Sequence, residues 1–189
     1  MRPVVKIPSG RYFNLVDFSK NIVTIDDVAF SLANINRFTG HRGTYSVAQH
    51  SVLVSYAVPE QYALDGLLHE LEEFVLNDIS SPVKSLLPDY RALSNRIGEY
   101  LAGVFGTAWP HPPEIKIADN CVLAAEVRDL GRPGMLGNEE HDRDDTWDMI
   151  RGLRPYPEYR IRPWAPILAY ENFVDRYNEI IKAKSNSRT

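Results

Sequence analysis

The sequence predicts an all-α fold, and three observations predict it. Apolar residues recur at spacings of three and four in one segment after another. Capping and breaking residues, among them Ser46, Pro59 and Ser80-Ser81-Pro82, stand between those segments. No repeat occurs at any obvious period, so the segments read as a succession of helices within one domain spanning residues 1–189.

The N-terminal piece is too irregular to assign. The first helix begins near Asp26 and Asp27, carries a stripe of Val28, Ala29, Leu32, Ala33 and Ile35, and runs out between Asn36 and Gly40. Arg37-Phe38 stands at its end. Ser46 caps a second helix, which Pro59 stops; Val47, His50 and Val54 share its inward face, so His50 points to the interior. A third helix is expected over residues 61–76, from Leu64, Leu67, Leu68, Leu71 and Val75. A fourth covers 88–107 through Tyr90, Leu93, Ile97, Leu101 and Val104, and a fifth covers 113–130 through Ile115, Ala118, Val122 and Ala125. The stretch from Gly131 to Pro166 holds five prolines and the acidic run Glu139 to Asp145, a long irregular segment of the kind that serves as a flap, a subunit contact or a disordered loop. A last helix, 166–182, uses Leu168, Phe173, Tyr177 and Ile181, ahead of a polar tail expected to be mobile.

Composition excludes whole classes of function. Apolar residues make up 44% and charged residues 24%, values of a folded globular chain and not of a disordered one. With 21 Lys and Arg against 25 Asp and Glu, the net charge of −4 argues against nucleic acid or an anionic membrane as partner. The single cysteine, Cys121, forms no internal disulfide and is expected to pack; with no long apolar stretch at the start, the expected location is the cytoplasm, that of the host if the chain is phage-encoded.

The sharpest local pattern is Leu67-Leu68-His69-Glu70-Leu71-Glu72-Glu73, an apolar helix face interrupted by a histidine and three carboxylates. Such a group destabilises the interior unless its polar atoms are satisfied. On a continuous helix His69 and Glu73 share a face, so one can bind a divalent cation while the other acts on water beside it; a solvated glutamate cluster is the plain alternative. His50 and Asp119 are further polar residues on stripes that otherwise face the core, and several such residues converging in a bundle make a metal site between helices.

His50, then His69-Glu70, then Asp119 resembles the His…His-Asp…Asp signature of the HD-domain metal-dependent phosphohydrolases, with Glu70 where Asp is expected. Arg37-Phe38 ahead of Tyr45-Ser46-Val47-Ala48-Gln49-His50-Ser51 is similar to the matching stretch of bacterial 5'-deoxynucleotidases, and Glu73, Asp78 and Ser81-Pro82-Val83-Lys84 follow at that family's spacing. Ser9-Gly10-Arg11 and Arg37-Phe38-Thr39-Gly40-His41 look closer still to the phage-type dATP triphosphohydrolases of the same superfamily. The resemblance covers residues 9–130.

The resemblance implies a helical bundle in which His50, His69, Glu70 and Asp119 ligate a first metal, while Glu73 and Asp78 position water or further metals. Two imidazoles and two carboxylates suit Co²⁺, Mn²⁺, Zn²⁺ or Mg²⁺ and leave positions for water and a phosphate oxygen. Glu73 is the candidate proton acceptor, or else an orienter of the ligands. Arg37 and Lys84 are candidates for phosphate contact, Arg11 a weaker one; Phe38 stacks on a base or packs, and His41 is a further candidate substrate contact. His111, in a proline-rich loop, is expected to be exposed.

The implied activity is metal-dependent hydrolysis of a deoxynucleotide by a homo-oligomer: dATP to deoxyadenosine and triphosphate, or alternatively phosphate release from a deoxynucleoside monophosphate. Glu70 sets a third reading, a catalytically silent nucleotide-binding protein, because its carboxylate lies one methylene farther out than that of Asp. An adapted ligand is the favoured account, since Glu73, Asp78 and Lys84 all remain.

Overall fold

The computed structural model describes residues 3–130 and 145–186, and within them the chain is predominantly helical, as its periodicity predicts. Residues 131–144, including His141 and all but the last residue of the acidic run, lie outside the described residues.

The irregular N-terminal piece is an antiparallel hairpin of two three-residue strands, β1 (Val4–Lys6) and β2 (Tyr12–Asn14), with Val5 opposite Phe13. Strands this short leave no readable alternation. Their service to the fold is Phe13, which is fully buried and meets Phe74 edge-on at a centroid distance of 5.6 Å.

Helix α1 (Ile25–Asn34) opens with a capping box: the Thr24 hydroxyl accepts from Asp27 N, and the Asp27 carboxylate accepts from Thr24 N. Helix α2 (Val47–Ala57) is capped by Ser46, whose hydroxyl accepts from Gln49 N. Every residue from Val47 to Ser55 is buried, because α2 is the central helix, in contact with α1 and with three elements described next.

The expected third helix is broken. It comprises a 3-10 turn (Glu60–Tyr62), α3 (Ala63–Leu67), a turn over residues 68–72 and α4 (Glu73–Leu76). The cause is local: the His69 ring donates from Nδ1 to the Gly66 carbonyl at 2.8 Å, the acceptor that Glu70 N would use in a continuing α-helix. Leu67, Leu68 and Leu71 are buried on either side of the break, so the apolar spacing passes through it.

A short helix, α5 (Ser81–Ser85), follows where the sequence shows only a stop signal. Helix α6 (Pro88–Phe105) and helix α7 (Pro113–Asp129) match their expected spans, except that Val104 points outward and Phe105 packs inward. Gly106 ends α6 at φ 72°, the left-handed cap that glycine adopts without strain. Helix α8 (Pro166–Asn186) runs past the expected end at 182 and buries Ala169, Phe173 and Ile180, with Leu168 exposed.

Two apolar clusters result. One joins α1, α3, α6, α8 and Phe13 to Val47, Ala48 and Val52 of α2; the other joins α7, Tyr45 and Ile161 to Leu53 and Val54 of the same helix. Helix α2 therefore carries His50 between two packed bodies. No helix among the described residues is long and apolar enough to cross a membrane.

Candidate metal centre

His50 (α2), His69 (the 68–72 turn) and Asp119 (α7) come together, with one ligand atom from each within 4.8 Å of the others. His50 Nε2 lies 3.2 Å from His69 Nε2 and 3.2 Å from Asp119 Oδ1. Each imidazole is oriented from behind. His69 Nδ1 donates to the Gly66 carbonyl, and His50 Nδ1 donates to Glu126 Oε1 at 2.6 Å. A carbonyl and a carboxylate only accept, so both Nδ1 atoms carry protons and both Nε2 atoms face Asp119.

This arrangement fits a divalent cation. Two ligand nitrogens bound at roughly 2.0–2.1 Å stand about 2.8–3.4 Å apart at octahedral to tetrahedral angles, and the 3.2 Å found here falls within that range. The electrostatics of His69 and Asp119 agrees. Burial, with His50 alongside, holds His69 down to about 4, keeping its Nε2 lone pair free. Burial opposes ionisation of Asp119, but the hydrogen bond from His50 and the charges of both rings and Arg37 hold its carboxyl well below the usual range. Burial and Arg37 push His50 down; Glu126 and Asp119 outweigh them, so its pKa is raised.

The cluster opens into a cleft of about 320 Å³ lined by Arg37, Phe38, Glu70, Glu73, Asp78 and Lys84, with Ser80, Lys116, Leu123 and Met149 among the other walls. Grooves of about 380 and 400 Å³ along α8 gather no such ligand set among the described residues.

Glu70 is at the rim. Its Oε1 lies 3.5 Å from His69 Nε2 and 4.0 Å from Arg37 Nη1, outside the three-residue cluster. Burial opposes its ionisation, but His69, Lys84 and Arg37 lower its pKa. Glu73 is 1% exposed; its Oε1 accepts from Lys84 Nζ at 2.8 Å and its Oε2 is buried without a hydrogen-bond partner. Burial, then Glu70 and Asp78, push its pKa well above the ordinary value. Because of the break at 68–72, His69 and Glu73 do not share one helical face, yet Glu73 still reaches the cleft. Burial also raises Asp78.

Arg37 is placed by the loop between α1 and α2. Its N–H donates to the Tyr45 carbonyl, and Asn36 pairs with Ser46, closing the loop. Inside it Phe38 and Thr39 take φ of 55° and 53°, a left-handed conformation that side chains other than glycine adopt at a cost. Phe38 packs against the Tyr45 cluster, its ring flanked by the guanidinium groups of Arg37 and Arg42 at 5.5 and 5.1 Å. Packing and a cleft position are thus both realised.

Arg11 and His41 are not brought to the cleft lining. Arg11 is exposed in the hairpin, and His41 is exposed at the end of the Arg37–Gly40 turn. His111, expected to be exposed, is partly buried against Trp109, with both ring nitrogens out of solvent.

The residue that sequence reading missed is Glu126. It is fully buried and binds His50 through Oε1 and Arg37 through Oε2, which accepts from Nη2 at 3.1 Å and Nε at 3.3 Å. Burial works against its charge, but Arg37 and His50 hold its pKa down to about 2. The available signal was its place seven residues after Asp119, two turns along the same face. Lys116, whose Nζ lies 2.7 Å from Asp119 Oδ2, was missed as well.

No family model matches the sequence. The chain is 36% identical over 177 residues to the uncharacterized protein YfdR of Escherichia coli, covering 93% of this chain and 94% of that one. It is 31% identical over 172 residues to an uncharacterized protein of Rhodobacter capsulatus, covering 80% and 87% respectively.

Proposed function

The chain belongs to the family of the Escherichia coli protein YfdR, and we propose that it is a metal-dependent hydrolase of deoxynucleotides, of the HD-domain kind, acting in the cytoplasm. The observation that carries this reading is the meeting of three acceptor atoms, on His50, His69 and Asp119, at a cleft that also presents Arg37 and Lys84.

A divalent cation held there would supply Lewis acidity, acidifying water and offsetting charge on phosphorus. Arg37, with its Nη1 edge toward Glu70 and the cleft, and Lys84 hold the phosphate oxygens and stabilise charge as the bond breaks. Glu73 accepts the proton of the attacking water at its unpartnered Oε2. The carboxyl so formed returns that proton to the 5'-oxygen as the phosphorus–oxygen bond cleaves. The new bond joins the water oxygen to the α-phosphorus, and deoxynucleoside and triphosphate leave.

Arg37, Lys84 and Lys116 line the cleft, each also paired with a carboxylate, on Glu126, Glu73 and Asp119 respectively. The choice of dATP over a monophosphate rests on the resemblance of the Ser9-Gly10-Arg11 and Arg37–His41 stretches to dATP triphosphohydrolases. Incubation of the purified protein with dATP or dAMP and each of Co²⁺, Mn²⁺, Zn²⁺ and Mg²⁺ tests the proposal. Triphosphate from dATP supports it, and phosphate from dAMP makes the protein a 5'-deoxynucleotidase instead. Bound metal with no turnover of any deoxynucleotide would leave a silent binding protein.

A further inference from the structure

We propose that Glu126 is a positioning residue of the metal centre: it dictates which ring nitrogen of His50 carries the proton, keeping Nε2 bare toward His69 and Asp119, and it does so while also holding Arg37. Glu126 stands on α7 two turns after Asp119 and is fully buried. Its two oxygens divide the work. Oε1 takes the proton of His50 Nδ1 at 2.6 Å, and Oε2 takes Nη2 and Nε of Arg37 at 3.1 and 3.3 Å. Both neighbours are donors at these edges, so a side chain satisfies them together only by accepting on both sides. A carboxylate does this and a carboxamide of the same shape cannot.

Glu126→Gln therefore forces a choice. Arg37 is permanently charged and offers two N–H groups, so the carboxamide oxygen turns to it, the charge-assisted contact being the stronger. The NH₂ group then faces His50 Nδ1, which must accept. The ring proton moves to Nε2, the nitrogen turned toward His69 and Asp119, where it blocks a metal. Removing Arg37 as well, in Glu126→Gln/Arg37→Met, ends the competition; the amide rotates and Nδ1 regains its proton. A residue that merely fills space predicts no such recovery.

The inference rests on reading the cluster as a metal site. A wild-type protein that takes up no metal sinks that reading, while the ring tautomer still judges the role of Glu126. The experiment pairs Zn²⁺ affinity with nitrogen NMR of the histidine rings in metal-free protein at alkaline pH, where both imidazoles are neutral. Wild type should show His50 protonated at Nδ1. Glu126→Gln should show it at Nε2 and bind Zn²⁺ about 10–100-fold more weakly, the range for losing such a partner; the double variant should recover the Nδ1 proton and most of the affinity. If the single variant does not fold, Glu126→Leu/Arg37→Met, which offers Nδ1 no acceptor, takes its place and should bind Zn²⁺ more weakly than Glu126→Gln/Arg37→Met. A ring proton that stays at Nδ1 in Glu126→Gln, an unchanged Zn²⁺ affinity, or a double variant as weak as the single one overturns the proposal.

Discussion

The Nδ1 atom of His69 lies 2.8 Å from the carbonyl oxygen of Gly66, three residues earlier. That one hydrogen bond ends α3, turns the chain over residues 68–72 and leaves His69 Nε2 directed at His50 and Asp119. The helix break and the orientation of His69 Nε2 toward His50 and Asp119 have the same cause.

Glu70 follows at once in that turn, and its length is the departure from the His-Asp pattern. Glu70→Asp draws the carboxylate back by about 1.5 Å, one carbon–carbon bond. If Glu70 is an adapted ligand the metal binds less well; if it is damage, occupancy and dATP hydrolysis rise, since ligand distances tolerate only about ±0.2 Å. Weaker binding is the expected outcome, read as metal per subunit for the two forms.

Glu73→Gln should retain metal and substrate binding while turnover falls by roughly 10²-fold or more, the scale of a lost acid-base group. The substitution leaves Lys84 an amide oxygen to donate to but removes the negative charge it pairs with. Unaltered turnover would reassign Glu73 to orienting its neighbours.

Arg37 and Lys84 should separate by stability as well as by rate. Arg37→Ala leaves the fully buried Glu126 without its cation and should destabilise the fold by about 3–5 kcal/mol. Lys84→Ala strips the buried Glu73 of its hydrogen-bond donor but leaves a carboxyl that can protonate, so it should destabilise less than Arg37→Ala. It should also slow dATP hydrolysis more than any hydrolysis of dAMP if Lys84 meets the distal phosphates. Equal losses on both substrates would argue against that division.

Asp27 offers a test of the fold alone. Burial opposes its charge, but hydrogen bonds from Ser9 N, Thr24 N and the Thr24 hydroxyl lower its pKa. A lowered folded pKa means stability that is complete above the unfolded value and lost as pH falls through the folded one. Asp27→Asn should therefore destabilise by roughly 2 kcal/mol at neutral pH, with the gap to wild type narrowing below about pH 4. Urea unfolding across that range checks it; a gap that widens on acidification contradicts the assignment.

The helices were legible because their signals are local, and His50 and Asp119 stood out locally as polar residues, while the meeting of His50, His69 and Asp119 was expected from the resemblance. Ser46 caps α2, and His50 and Asp119 break stripes whose other members are apolar. The break at 68–72 was not legible, since Leu67, Leu68 and Leu71 keep helical spacing while a side chain takes the backbone acceptor. Glu126 was missed for a different reason: its meaning depends on Arg37, 89 residues away. Arg11 and His41, expected from the resemblance, lie outside the cleft lining.

The most direct test is metal content. After loading with Co²⁺, Mn²⁺, Zn²⁺ or Mg²⁺ and dialysis, the wild-type chain should retain about one ion per subunit for at least one metal. His50→Ala, His69→Ala and Asp119→Ala should each lose metal and hydrolysis together while helical circular dichroism persists. A triple variant that still held stoichiometric metal would contradict the account.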